Sequence, residues 1–294
     1  MKLLSNLKFI SFYFIEVKWI QWIYVSLCSC IFPTSHPLFQ TIQDTLNTNQ
    51  IEVIGFASLL FLNLFFKNHD DFSGLKQAIF SAKKIEHSFI PHFLKGIFIS
   101  SFFILIFLLS GNYQYFGYWN HFFATPSEWL RIFLRIAALI LMIYTESLLF
   151  YAQLPVLFAS HLSTPLTAIF IAFVFCVMKN LQFHLTAMEQ ISLFLLSCNL
   201  FYRSRPFSQF TKSTGFWAGI FILFHVFFSF PLFGHEFNGI VFIQITSSPL
   251  FKKLSPQVLQ LLTGGSNGPF SSLLFQLILL LDLIIYILKK KKMR

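Results

Sequence analysis

Charge is scarce in this chain: of 294 residues only 11% are Asp, Glu, Lys or Arg, and just 11 are acidic. A water-soluble body of this length needs a charged shell around its core, and so few ionisable side chains cannot provide one. Cysteine is nearly as rare. Cys28, Cys30, Cys176 and Cys198 all fall inside apolar stretches and none makes a CxxC pair, so they read as packing residues rather than as disulfide partners or zinc ligands. The period-2 alternation that faces the lumen of a membrane barrel is missing, which excludes that architecture. Internal repeats are missing too, as is any low-complexity tract apart from a final basic cluster.

What the chain has in abundance is apolar surface: 56% of residues are hydrophobic and 43 are Phe. Runs such as Gly96–Leu109 and Leu273–Leu288 are long enough, as helix, to cross most of a ~30 Å hydrocarbon layer. The predicted fold class is therefore all-α, a polytopic membrane protein with about eight transmembrane helices in one bundle. Apolar windows place them near 15–32, 51–66, 93–110, 129–160, 166–182, 184–202, 215–233 and 270–288. Pro33, Pro37, Gly111, the Ser163-Thr164-Pro165 run and Gly234 punctuate the connections. The first window is too long, and too poor in small residues, for a removable signal peptide.

The formal net charge of +10 comes from short basic clusters between apolar runs, so it signals topology and not a nucleic-acid partner. Lys2, Lys8, the five lysines of the loop at 67–95, Arg203, Arg205, Lys212 and the terminal Lys289–Lys292 with Arg294 collect on one side, leaving Arg131, Arg135, Lys252 and Lys253 opposite. Positive charge marks the inner face, which puts both termini in the cytoplasm. The loop at 67–95 reads as a solvated connector next to anionic lipid, with a surface amphipathic helix at Leu75–Ile85.

Ionisable side chains deep within apolar helices are costly, and each is a functional candidate by default. Three stand out. Glu146, Lys179 and His225 lie about 21, 21 and 16 Å from the nearest inner loop at ~1.5 Å per residue, so they are predicted to share one layer. A carboxylate, an amine and an imidazole at one depth are expected to find one another, because each alone is an uncompensated buried polar group, either as a Glu146–Lys179 ion pair that merely joins two helices or as a site that includes His225. His225 and Ser229 are spaced to share a helix face. His184, Glu189 and Asp282 read as interhelical hydrogen-bonding residues.

The order and spacing of these segments resemble the CAAX prenyl endopeptidase and bacteriocin-processing family of intramembrane proteases, over roughly residues 128–290. The stretch Glu146-Ser147-Leu148-Leu149-Phe150-Tyr151 is similar to the family's EExxxR motif, Phe175 to Lys179 to its FxxxH motif, and His225 to Ser229 to its HxxxN motif. Asn238-Gly239 and the segment Leu262–Ser272 resemble the glycine-rich stretch before the last helix of some bacterial members. The resemblance implies Glu146, His225 and Lys179 at catalytic positions, with Ser147, Tyr151, Phe175 and Ser229 in support. Ser147, Tyr151, Lys179 and Ser229 depart from the family's residues, and only Glu146 and His225 survive among its polar positions.

Two functions follow as expectations. One is a non-catalytic relative that binds a membrane-anchored or lipidated peptide. The other is an active glutamate-type endopeptidase using Glu146 and His225. A transporter is less supported, because the Gly and Pro interruptions do not recur in two halves. No cofactor and no metal are expected, since one Glu and one His fall short of a ligand set. The partners expected are membrane lipid and a membrane-anchored peptide or protein, with no nucleic acid. Residues 1–127 are read as N-terminal membrane helices with the basic loop, 128–290 as the family-like core, and 291–294 as a basic tail. The resemblance implies a bacterial inner membrane. The ending Lys291-Lys292-Met293-Arg294 also fits a dilysine retrieval signal, which in a eukaryotic host means the endoplasmic reticulum.

Overall fold

A computed structural model describes residues 82–110, 126–158, 162–183, 185–205, 209–228 and 255–292, apart from 266–267, together with 58, 230 and two short strands at 113–118 and 241–245. The expected spans at 15–32 and 51–66, Cys28, Cys30 and Asn238-Gly239 lie outside the described residues. Helices make up nearly all of the described chain. In order they are α1 (Ala82–Leu109), α2 (Pro126–Ser147) continuing through a π-helix (Leu148–Gln153) into α3 (Leu154–Phe158), α4 (Thr164–Phe183) and α5 (Ala187–Ser204). Then come α6 (Thr211–Phe221) running into a second π-helix (Ile222–Phe227), α7 (Pro256–Thr263), a 3-10 turn at Pro269–Ser271 and α8 (Leu273–Lys292).

Six of the expected spans coincide with helices. Two of these, Phe89–Leu109 and Ile132–Gln153, are long and apolar enough to cross a membrane, with Thr164–Asn180 a shorter apolar helix. The exception to the all-helical expectation is a ladder in which β1 (Tyr113–Tyr118) pairs antiparallel with β2 (Val241–Ile245), with an irregularity between Tyr115 and Gly117. Aromatic and β-branched residues dominate both strands, which suits a sheet where an apolar-window reading sees only a connection. A second correction concerns the basic loop at 67–95. Helix α1 already begins at Ala82 and carries Lys95 within it.

Local sequence explains several boundaries. Thr186 and Glu189 form a capping box at the start of α5, the threonine hydroxyl accepting from the Glu189 N–H at 3.4 Å and the Glu189 carboxylate accepting from the Thr186 N–H at 2.9 Å. Glu189 thus closes its own helix end and is not the interhelical residue the sequence suggested. Ser255 caps α7 ahead of Pro256, and Gly264, at φ 88°, ends it in the left-handed conformation.

The closest crossing is between α1 and α6. Gly96 packs against Phe216 and Gly219, and a Cβ added there would lie 3.0 Å from Ile220 N and in collision with the Phe216 carbonyl. Gly215 and Gly219 meet the Phe89 and Phe93 carbonyls in the same way. Gly215-Phe216-Trp217-Ala218-Gly219 is thus a small-xxx-small face that lets two backbones touch, as in membrane helix pairs. Beyond that crossing the core is aromatic. Phe103 of α1, Phe224 of the second π-helix and Phe275 of α8 meet edge to face at 5.2–5.7 Å and join three segments.

Candidate functional site

Of the three groups expected in one layer, the structure pairs Glu146 with Lys179. Glu146, next to last in α2, receives the Lys179 ammonium of α4 on Oε1 at 2.5 Å, and both side chains are fully buried. Aromatic faces complete the cage: Lys179 Nζ lies 5.1 Å from the centroid of Phe183 and 5.9 Å from those of Phe175 and Trp217. A desolvated ammonium gains from such faces in addition to its ion pair. Phe175 and Trp217 are themselves edge to face at 5.3 Å, so α4 and α6 close over the pair.

Immediately after Ser147 the helix widens into its π turn, closed by the Leu154 N–H donating to Leu149 O. Segments of this kind are frequent at functional positions because they re-aim side chains without ending the helix. Here the turn presents Tyr151 to α5, where its hydroxyl donates to Ser197 Oγ at 2.8 Å, while its ring rests 6.1 Å from Phe175. Tyr151→Phe is expected to lower stability by about 1 kcal/mol, the ordinary net worth of a buried hydrogen bond, read as a small drop in the unfolding midpoint. Glu146 Oε2, Ser147 Oγ, both amide atoms of Gln153 and Trp217 Nε1 have no hydrogen-bond partner among the described residues, which leaves several buried polar atoms on the elements around the pair.

His225 belongs to a different cluster. Its Nδ1 donates to the Phe230 carbonyl at 2.7 Å, and its ring lies 5.2 Å from Phe221 and stacks on Phe270 at 6.1 Å. Trp217, Phe221 and His225 follow one another at four-residue spacing, with Trp217 and Phe221 in contact at 5.4 Å. The imidazole therefore stands two turns, roughly 12 Å of helix rise, beyond the indole that covers Lys179. Counting residues from the loops puts all three groups in one layer. The structure brings Glu146 to Lys179 and surrounds the His225 ring with Phe221, Phe224 and Phe270. The helix carrying His225 ends at Phe227, and Ser229 lies outside the described residues, as does His184.

The glycine-rich stretch has a visible role. Its 3-10 turn lays Phe270 under the imidazole, held by Ser192 Oγ donating to the Phe270 carbonyl. Cys176 and Cys198 are buried and not joined in a disulfide, and the Cys176 thiol donates to the Gln190 carbonyl at 3.4 Å. Among the described residues, no three His, Cys, Asp or Glu side chains converge as a metal-ligand set.

A second ionic centre bears out the interhelical reading of Asp282 and corrects the loop reading of its partners. Asp282 of α8 accepts from Arg203 of α5 and pairs with Lys95 of α1 at 2.6 Å, tying three helices together. The Arg203 guanidinium is sandwiched between Phe216, 3.8 Å from its centroid, and Tyr286 at 4.9 Å. Arg203 was counted among the loop charges, but it is buried. The available signal was Asp282 itself, a single acid in an otherwise apolar helix that demands a cation on a neighbour.

No family model, no curated protein and no solved structure matches this chain.

Proposed function

We propose that this chain is a membrane-embedded relative of the CAAX prenyl endopeptidase and bacteriocin-processing proteins that binds a membrane-anchored or lipidated peptide without hydrolysing it. The observation that carries the reading is the state of Glu146. A general base must reach the proton it removes, directly or through one water. Glu146 is instead held by an ammonium at 2.5 Å and sealed from solvent, and the imidazole that would assist it is engaged with the Phe230 carbonyl. The pair fastens α2 to α4, a structural use of a site whose counterpart in that family is catalytic.

The distribution of polarity supports the membrane setting. Among the described residues the Glu146–Lys179 and Arg203–Asp282 pairs are interior, while the outer faces of α1, α2, α4 and α8 are apolar and exposed: Phe98 is 69%, Phe133 67%, Phe173 61% and Ile285 60% accessible. Lipid accepts such a surface and water does not. In this reading eight spans cross a bacterial inner membrane, with both termini cytoplasmic. The seat for the peptide's apolar part is a groove of about 500 Å³ between α4 and α5, walled by Phe173, Val177, Ile191 and Phe194. Its polar element is the Gln190 amide, which donates to Asn180 Oδ1 at 3.2 Å and to the Leu185 carbonyl at 3.1 Å.

The test compares wild type, Glu146→Ala and His225→Ala on lipidated and transmembrane peptides in proteoliposomes. No cleavage by any of the three, together with peptide cross-linking from a photoreactive residue at Val177, is the expected result. Cleavage by wild type that disappears in both correctly inserted variants would establish an endopeptidase.

A further inference from the structure

We infer that the end of the bundle where α1, α5 and α8 meet seats the phosphate of an anionic phospholipid, a site separate from the groove and resting on the proposed membrane setting alone. The argument begins with charge. Lys95, Arg203, Lys289 and Lys290 gather around Tyr286 and Asp282. Lys95 and Lys290 each hold an ammonium 5.9 Å from the Tyr286 ring centroid, Arg203 stacks on that ring, and Lys289 is close enough to Lys95 for mutual repulsion. Among the described residues Asp282 is the carboxylate that faces them, and both its oxygens are taken, Oδ1 by Lys95 and Oδ2 by Arg203.

Geometry says which cations can face a ligand. Arg203 is buried and serves Asp282. Lys95 is 38% exposed on its side chain and Lys289 is exposed, while Lys290 donates to the Tyr202 and Arg205 carbonyls at 3.3 and 3.2 Å, which anchors the last turn of α8 to the end of α5. Lys95 and Lys289 thus form an open cationic edge over a fixed base. Directly along the same helices runs exposed apolar surface, Leu281, Ile285 and Leu288 on α8 and Phe98 and Phe102 on α1. A free phosphate satisfies only the first feature. A phospholipid satisfies both, with its phosphate on the lysines and its acyl chains along the apolar stripe.

The experiment reconstitutes the full chain into phosphatidylcholine vesicles with and without phosphatidylglycerol, and measures the lipid retained after detergent extraction by native mass spectrometry. Each lysine near an anionic surface is worth about fivefold in affinity, so Lys289→Ala with Lys95→Gln is expected to lower phosphatidylglycerol retention more than tenfold. Because Lys95 also braces Asp282, Lys289→Ala alone, with an expected fivefold loss, and the charge-keeping Lys289→Arg, with none, keep the test decisive if the double variant misfolds. Equal retention of the two lipids by inserted wild type, or retention unchanged in Lys289→Ala, overturns the site. Inorganic phosphate that abolishes retention at low concentration overturns the lipid as its source. Failure of wild type to enter vesicles at all overturns the membrane setting itself, which is a distinct outcome.

Discussion

Lys179→Ala is expected to destabilise the protein by about 3–5 kcal/mol, because it strands the Glu146 carboxylate in a fully buried aromatic cage. Glu146→Ala is expected to do the converse by a similar amount, leaving an ammonium among Phe175, Phe183 and Trp217. The informative variant is the double one. Glu146→Leu with Lys179→Met removes both charges and keeps the volume roughly constant, and buried ion pairs replaced this way are commonly neutral or gain stability. Thermal unfolding in detergent, followed through a double-mutant cycle, should therefore show two large single losses and a coupling energy of nearly the same size. An active glutamate site predicts the opposite pattern, in which the single substitutions abolish hydrolysis and hardly change the midpoint. Unfolding midpoints unmoved by Lys179→Ala would remove the physical basis for the non-catalytic reading.

Gly219→Leu is expected to be at least as damaging, through geometry and not charge. The glycine faces the Phe93 carbonyl and the backbone of Gly96 across the α1–α6 crossing, and the atoms a side chain would meet are main-chain atoms that cannot rotate away. Accommodating leucine requires the two helices to separate, and overpacking of even ordinary cores costs about 1–3 kcal/mol with more where backbone must move. The consequence reaches further than one contact, because α6 also carries Trp217 over Lys179 and leads into the turn that carries His225. Loss of the folded species in detergent, seen as broadened size-exclusion elution and lost near-ultraviolet signal, is the expected outcome. Ala218→Gly, at the next buried position, should be milder, since it adds no atoms and costs only the helix propensity of glycine, about 1 kcal/mol.

Particular residues show where the amino-acid sequence was legible. Glu146 and Lys179 announce each other because an apolar environment allows few other fates for an isolated charge. The helices at 93–110, 129–160 and 270–288 are visible as long apolar runs, and their observed limits differ by up to some ten residues at one end. Arg203 shows where the reading fails. At the edge of an apolar run it looks like a loop cation, and only the approach of α8 makes it a buried partner of Asp282. His225 shows a different limit, because nothing near it in sequence announces Phe270, which the glycine-rich stretch lays against its ring. Glu189 stands three residues after Thr186, the spacing of a capping box, and that local pattern accounts for it without a partner on another helix.

Composition and run length alone dictated helices with apolar exteriors and forced each interior charge to find a counter-charge, since desolvation acts on a residue wherever its helix is placed. Which counter-charge it finds depended on the approach of α4 to α2, on those of α5 and α1 to α8, and on the glycine crossing of α1 with α6. Those are contacts between segments far apart in the chain, and the free energy that selects them resides in their packing, not in either segment by itself.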